Sequence, residues 1–376
     1  MTMNQKVLTV ENNYKALDDY LLENHIKKIF LVKSKYFDSF SISAYFKTLR
    51  LRLGIDTVEF THYHPNPEYS SVVEGEKLFT AENCDCIFAC GGGSCIDVAK
   101  CIKLYYGLDE NTIFLSQTPI ENPIPLIVLP TTAGSGSEAT RYAVIYYNDE
   151  KQSVTHDSII PSAVIFDPQV LEKLPEYQRK STMLDAFCHA VEAYWSVNST
   201  CESKKFSKTA IQMLLKNYEG YLRNESSKNQ NMQIAANFAG KAINITQTTA
   251  GHAMCYKLTS IYGIAHGHAA ALCVKELWQY MIGHTDLCLD KRGRTYLDSM
   301  FMELAAVLGE SSAENGAKKF RAIFDSLKLP LLRGDLNFEL LKRSVNPIRL
   351  KNNPVRLDEN SIDLLYHKIL MQDKAE

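Results

Sequence analysis

Five short apolar runs in the first half of the chain set the strongest limit on its fold. "KIFLVKS", "DTVEFTHY", "DCIFACGGG", "PLIVLPTT" and "SAVIFDP" are strand-length, and several are unbroken enough to be buried on both faces. Helical or turn-rich connections separate them, and that alternation predicts an α/β fold with a largely parallel sheet. Beyond "LPEYQRKS" the strand signal fades. "MLDAFCHAVEAYWSV", "SKKFSKTAIQMLLKNYEGYL", "NMQIAANFAGKAINI", "AAALCVKELWQYMI" and "TYLDSMFMELAAVLG" carry helical patterns, and the polar stretches "NESSKNQNM" and "GESSAENG" read as loops. At 376 residues the chain exceeds the roughly 250 to 300 residues at which one core stops growing. Two domains are therefore expected, an α/β domain over residues 1–175 and an all-helical domain over 176–376.

Composition removes several function classes. No segment approaches the roughly 18 uninterrupted apolar residues of a membrane span, and the opening "MTMNQKVLTVENNYKAL" lacks the apolar centre of a secretory signal. A cytoplasmic protein without a membrane partner is expected. The formal net charge of -2 argues against a general nucleic-acid surface. The ten cysteines are scattered, several within apolar runs such as "CDCIFAC", which fits buried free thiols in a reducing compartment. Cys84 and Cys86 have no second pair at zinc-binding spacing.

Two glycine-containing loops follow predicted strands. In "CDCIFACGGGSCIDVAK", Gly91, Gly92 and Gly93 let the backbone turn tightly beside a ligand. The helix that follows offers unpaired N–H groups to a pyrophosphate. The dinucleotide fingerprint would need another glycine at Ile96, and the nucleoside-triphosphate loop would end in Gly-Lys-Ser/Thr, so neither motif is present. A plain strand-to-helix turn would look the same. The second loop, "LPTTAGSGSEATRYAVI", supplies Thr131, Thr132, Gly134, Ser135, Gly136 and Ser137 after another strand, where open α/β sheets bind ligands. Together the loops point to one long phosphate-bearing cofactor.

The helical half contributes histidines. Asp185 and His189 in "STMLDAFCHAVEAYW" are four apart and share a helix face. Such a pair is either a buried hydrogen bond or part of a metal site. "GHAMCYKLTSIYGIAHGHA" adds His252 on a helical run and His266 after the turn "YGIA". One carboxylate and three imidazoles suit a divalent first-row ion, Fe2+ or Zn2+, with a position open to substrate. His268, two residues past His266, lies on another side of its helix and reads as a supporting group or a substrate contact.

These motifs resemble those of the iron-containing (group III) alcohol dehydrogenase family: "GGGSCIDVAK", "PTTAGSGSEAT", "DAFCHAVEAYWS" and "HAMCYKLTSIYGIAHG", with similarity running from "HPNPEYSSVVEG" to "NNPVRLDENSIDLLY". The resemblance implies the dehydroquinate synthase-like fold, with an N-terminal dinucleotide-binding domain, a C-terminal helical domain, and metal and nicotinamide in the cleft they form. It implies Asp185, His189, His252 and His266 as metal ligands, with iron the expected ion and zinc the alternative. Gly91, Gly92, Gly93, Ser94 and Asp97 would hold the NADP(H) or NAD(H) pyrophosphate, with Thr131, Thr132 and Ser137 on the other side. Lys100 reads either as a cofactor contact or as a solvated helix lysine. A homodimer follows from the family's habit.

Three departures carry the specificity. Many NAD-dependent relatives have an aspartate at the end of the strand before Lys35, whereas Ser34 stands here between Lys33 and Lys35, which admits NADP(H). Many relatives have a proton-relay histidine four residues after His252, and here Tyr256 occupies that place, a catalytic candidate beside His268. Lys257, Arg141 and His156, with Lys151 nearby, suit an anionic substrate group better than a simple alkyl alcohol. "SEATRYAVIYYN" and "KQSVTH" look most like the branch that reduces phosphonoacetaldehyde to 2-hydroxyethylphosphonate in phosphonate biosynthesis. The alternatives are a short-chain alcohol or 1,3-propanediol dehydrogenase and, from another class, a dehydroquinate synthase-like lyase.

Overall fold

The computed structural model describes residues 5–10, 13–148, 150–330, 332 and 337–371. The chain divides into two compact units, Met1–Leu174 and Pro175–Glu376.

The first unit is built on a six-stranded sheet of β1 (Lys6–Thr9), β2 (Lys28–Lys33), β3 (Asp56–Phe60), β4 (Cys86–Gly91), β5 (Leu126–Pro130) and β8 (Ala163–Phe166). Every pairing in it is parallel, in the order β1-β8-β5-β4-β2-β3. Helices α1 (Lys15–Glu23), α2 (Ser41–Leu53), α3 (Tyr69–Ala81) and α4 (Gly93–Tyr105) connect these strands. The apolar runs are central for a physical reason: Cys86 to Gly91 and Leu126 to Pro130 are buried throughout, as strands covered on both faces must be. On one face Ile87, Ala89, Leu126 and Val128 join Phe30, Phe79, Val98 and Ile102 in one core. Strand β3 adds outside β2, but β4 returns to the opposite side of β2. The winding direction therefore changes at the neighbouring carboxyl ends of β2 and β4, the place where open α/β sheets leave a crevice.

Strand β1 is not among the five runs read in the sequence, because only Leu8 of it is buried, and a second element of this unit is also missing from that reading. Strands β6 (Tyr142–Tyr147) and β7 (Glu150–Thr155) form a separate antiparallel ribbon. The polar run "EKQSVT" carries no apolar signal, because the ribbon buries mainly Ala143 and Ile145 of β6 in the core.

The second unit contains α5 (Glu176–Trp195), α6 (Cys201–Leu222), α7 (Ser226–Thr246), α8 (Ala250–Tyr262), α9 (His266–Gly283), α10 (Arg294–Val307), α11 (Ala313–Ser326), α12 (Phe338–Arg343), α13 (Pro347–Leu350) and α14 (Glu359–Met371). Helix α5 is the hub, packing on α6, α7 and α9, while α8 packs on α9. Trp195 of α5 meets Trp278 of α9 edge-on, with ring centroids 5.2 Å apart. The two polar stretches expected to be loops are partly helical. Only Asn224, in the left-handed region, and Glu225 stay outside a helix before α7 begins at Ser226. The polar residues that follow are paired: Asn229 accepts from Arg179 and Asn231 donates to Asn217. Hydropathy cannot register burial of that kind. In "GESSAENG", Ser312 accepts from the Asn315 N–H and starts α11, so its second half is a helical first turn. No helix among the described residues is long and apolar enough to cross a membrane. All ten cysteines are free and eight are buried.

Candidate metal centre and dinucleotide loops

Helix α5 carries Asp185 and His189 one turn apart, both buried. Helices α8 and α9 bring the other two residues, joined by a short turn in which Gly263 takes the left-handed conformation. Two glycines allow these helices to reach α5. A β-carbon on Gly267 would lie 2.0 Å from the Ser181 carbonyl oxygen and 2.9 Å from the Asp185 nitrogen. One on Gly251 would lie 2.5 Å from Val274 Cγ2 and 3.0 Å from Glu192 Oε1. Each glycine is the chain neighbour of a histidine of the site, so the close approach delivers that histidine.

The donor atoms converge on one point. Asp185 Oδ1 lies 3.5 Å from His252 Nε2, 3.8 Å from His189 Nε2 and 4.0 Å from His266 Nε2. Ligand atoms of Asp185, His189 and His252 all fall within 4.8 Å of one another. The His189 and His252 rings stack with centroids 4.6 Å apart. Asp185 Oδ1 and His252 Nε2 are buried without a hydrogen-bond partner, which is costly unless something else satisfies them. A divalent cation would do so, and the hard carboxylate with imidazole donors is a set that iron or zinc accepts. His266 differs from the other three, its side chain being 40% exposed.

The charges agree. Burial pushes the Asp185 carboxyl upward, but the three imidazoles outweigh it and hold the group well below the usual carboxylate range. Burial pulls His252 down, yet Glu192 and Asp185 raise it to about 10. Glu192 was not singled out in the sequence. It sits fully buried on α5, seven residues after Asp185, with Oε2 on His252 Nδ1. Its helical phase with Asp185 and His189 is the signal that could have found it.

Tyr256 stacks on His266, the rings 5.8 Å apart and nearly parallel. Burial raises its phenol above the ordinary value, against the nearby charges of His252 and Arg349. Lys257, one residue on, is exposed, about 100° around the helix from Tyr256. His268 points elsewhere. Its ring is buried against Phe324, and its Nδ1 meets the Tyr177 hydroxyl at 3.2 Å. That hydroxyl accepts the N–H of Ala265, and Ser181 accepts the N–H of His268 itself. His268 thus braces the start of α9 beside His266.

In the α/β unit, the two loops adjoin. A β-carbon on Gly92 would approach Thr132, and one on Gly93 would approach Ser135. The Thr131 N–H donates to the Gly91 carbonyl, and the Ser34 N–H to that of Cys90. Ser34 Oγ is buried with no hydrogen-bond partner, at the carboxyl end of β2. Helix α4 starts at Gly93, so Gly93 and Ser94 present its first N–H groups. Asp97 is engaged within the protein: its oxygens accept from Ser137 Oγ at 2.6 Å and the Val144 N–H at 3.0 Å. Lys100 is fully buried rather than solvated. Its ammonium donates to Ser137, Thr140 and the Tyr142 carbonyl, and burial lowers it to about 8. Asp97 and Lys100 therefore fasten the second loop to α4.

The two lysines flanking Ser34 are not equivalent. Lys33 is buried and paired with Glu59 at 2.6 Å, while Lys35 is exposed over the Tyr36 ring. Arg141 and His156 meet at one end of the ribbon, where the His156 N–H donates to the Arg141 carbonyl. Arg141 also pairs with Asp157 at 3.2 Å, and His156 Nδ1 engages Ser158.

Comparison with known proteins meets this geometry from outside. Residues 4–168 match the iron-containing alcohol dehydrogenase family, and residues 180–369 match the C-terminal region of the Fe-containing alcohol dehydrogenase family. The chain belongs to the iron-containing alcohol dehydrogenase family. Its relatives in that family include phosphonoacetaldehyde reductase of Streptomyces viridochromogenes, 30% identical over 78% of each chain. The 1,3-propanediol dehydrogenase of Citrobacter freundii is 34% identical over 68% of each. Sulfoacetaldehyde reductase of Bifidobacterium kashiwanohense, solved in complex with NAD+, shares the fold with a TM-score of 0.85 at 22% identity over 98% of both chains. As a member of an alcohol dehydrogenase family the protein is an oxidoreductase, which sets aside the lyase alternative.

Proposed function

We propose that this alcohol dehydrogenase family member is a metal-dependent NADPH- or NADH-linked aldehyde reductase, with phosphonoacetaldehyde as its best substrate and 2-hydroxyethylphosphonate as product. The observation that carries the metal reading is the pair of buried, unpartnered atoms Asp185 Oδ1 and His252 Nε2. Asp185, His189, His252 and His266 would hold the ion. When bound, a divalent ion supplies Lewis-acid polarisation of the carbonyl, and the nicotinamide supplies hydride.

The chain's own groups do the rest. The N–H groups at the start of α4 hold the pyrophosphate, and Gly92 leaves room for it beside Thr132. Ser34 Oγ offers a free hydrogen bond to the adenosine ribose or its 2′-phosphate, with Lys35 the exposed cation beside it. Tyr256, kept protonated by burial, holds the proton that the product oxygen receives.

The substrate reading is supported by identity to phosphonoacetaldehyde reductase and by cations suited to a phosphonate. Arg141 and His156 are candidates in the α/β unit. Arg349 of α13 adds one in the helical unit, where its charge reaches Tyr256. A neutral alcohol or 1,3-diol remains the second reading, favoured by the 1,3-propanediol dehydrogenase relative and by the pairing of Arg141 with Asp157. The same proposal places the enzyme in the cytoplasm as a homodimer, which light scattering tests. Oxidation of NADPH and of NADH by iron-loaded protein, with phosphonoacetaldehyde and propanal side by side, decides the substrate. Preference for the phosphonate is expected, and preference for propanal moves the enzyme to the second reading.

A further inference from the structure

We propose that Glu192 is a positioning residue for the metal ion: its carboxylate fixes the proton of His252 on Nδ1 and so presents the Nε2 lone pair to the ion. The inference rests on the metal reading above but holds whatever the substrate is. Its first support is occupancy. Glu192 is completely buried, and both oxygens are committed within the helical unit. Oε2 pairs with His252 Nδ1, while Oε1 accepts from the Thr249 N–H at 3.0 Å, the Thr249 hydroxyl at 2.7 Å and the His252 N–H at 3.3 Å.

The second support is placement. Asp185, His189 and Glu192 lie at intervals of four and three residues along α5, so one stripe of one helix carries two ligand candidates and the support for a third. Thr249, the residue before α8, makes no capping bond with its own side chain; Glu192 takes the first N–H groups of α8 instead. One carboxylate therefore fixes both the backbone of the first turn and the ring of the histidine on it. Gly251 completes the arrangement, because any side chain there would press on Glu192 Oε1 and Val274.

The chemistry follows from the imidazole. A neutral ring carries one proton on two nitrogens, and an acceptor held at Nδ1 keeps the proton there, freeing Nε2 to donate to an ion. The carboxylate also makes that nitrogen a stronger donor, and with Asp185 it offsets both charges of a divalent ion. By contrast, His266 Nδ1 meets the Cys255 thiol at 3.7 Å, a weak partner. Of these two pairings, that of His252 with Glu192 is the stronger.

Glu192→Gln tests this, since glutamine matches the shape and can still accept from Thr249, but would turn an amide N–H toward His252 and move the ring proton to Nε2. The full-length variant should keep its far-UV circular dichroism without metal. Its Zn2+ dissociation constant, measured by chelator competition, should rise by about 10- to 100-fold, and the visible spectrum of its Co2+ form should change. A folded variant that binds Zn2+ within about threefold of the unsubstituted protein overturns the proposal. Nitrogen-15 spectra of Zn2+-loaded wild type provide a reading that needs no variant: a His252 proton on Nδ1 is expected, and one on Nε2 refutes it. A wild type that binds neither Zn2+ nor Co2+ overturns the metal reading itself, and this inference with it.

Discussion

On the function proposed above, the groups of the α/β unit that would face a ligand are mostly backbone: the first N–H groups of α4, bare Gly92 and Gly93, and small hydroxyls from Ser34 and Thr132. In the helical unit they are ionisable side chains, Asp185, His189 and His252, buried and aimed at one point. Glycine serves both, in different ways. Gly92 has ordinary space around it and leaves room for a ligand, whereas Gly251 and Gly267 are filled by neighbouring helices and exist for packing. A backbone site tolerates change in the residues around it, because every residue brings an N–H. A side-chain site depends on each member and on the helix contacts that aim it.

That contrast can be broken at its strongest point by Gly267→Ala, whose methyl would have to overlap the Ser181 carbonyl. Aldehyde reduction should fall by at least about 1,000-fold with loss of bound metal, and His266→Ala should do the same. Dinucleotide binding, followed by nicotinamide fluorescence, should survive in both variants. Metal retained by Gly267→Ala would end the packing account of that glycine.

The next effect concerns charge. Arg349→Ala should raise KM for phosphonoacetaldehyde by about 10- to 100-fold, the worth of a charge-assisted hydrogen bond, and leave KM for propanal nearly unchanged. Equal changes for both aldehydes would remove Arg349 from substrate recognition. On the backbone side, Gly92→Ala should weaken NADPH or NADH binding by about tenfold, a little over 1 kcal/mol, with metal content intact. A variant that also lost metal would show that the two kinds of site are not independent. The smallest effect belongs to Lys257→Ala. Because that side chain is exposed, KM for either aldehyde should move by no more than about twofold, as for most surface charges.

The sequence made the centre of the sheet legible because β2, β4, β5 and β8 are buried almost throughout and so spell out their burial in apolar letters, whereas β1, with only Leu8 buried, does not. The ribbon of β6 and β7 was hidden because only Ala143 and Ile145 face the core. Asp185, His189, His252 and His266 stood out as polar residues in apolar surroundings at helical spacing. Glu192 stood in the same motif, but a glutamate on a helix looks like solvent-facing charge until α8 is laid against it. Lys100 misled for the same reason: five acceptors in a distant loop and strand justify its burial, and none is near it in sequence. What spacing conveys is a residue's face. What it omits is the partner that arrives from far along the chain.

The short turn at Gly263 has a consequence for how the site comes together. His252 and His266 ride on two helices joined by three residues, while Asp185, His189 and Glu192 share a single helix. The centre is thus made from two locally assembled halves, and one long-range docking event closes it. Loop-closure entropy is met once rather than at each ligand. An ion captured there ties together segments some sixty residues apart, so its removal should loosen the middle of the helical unit well before its far ends.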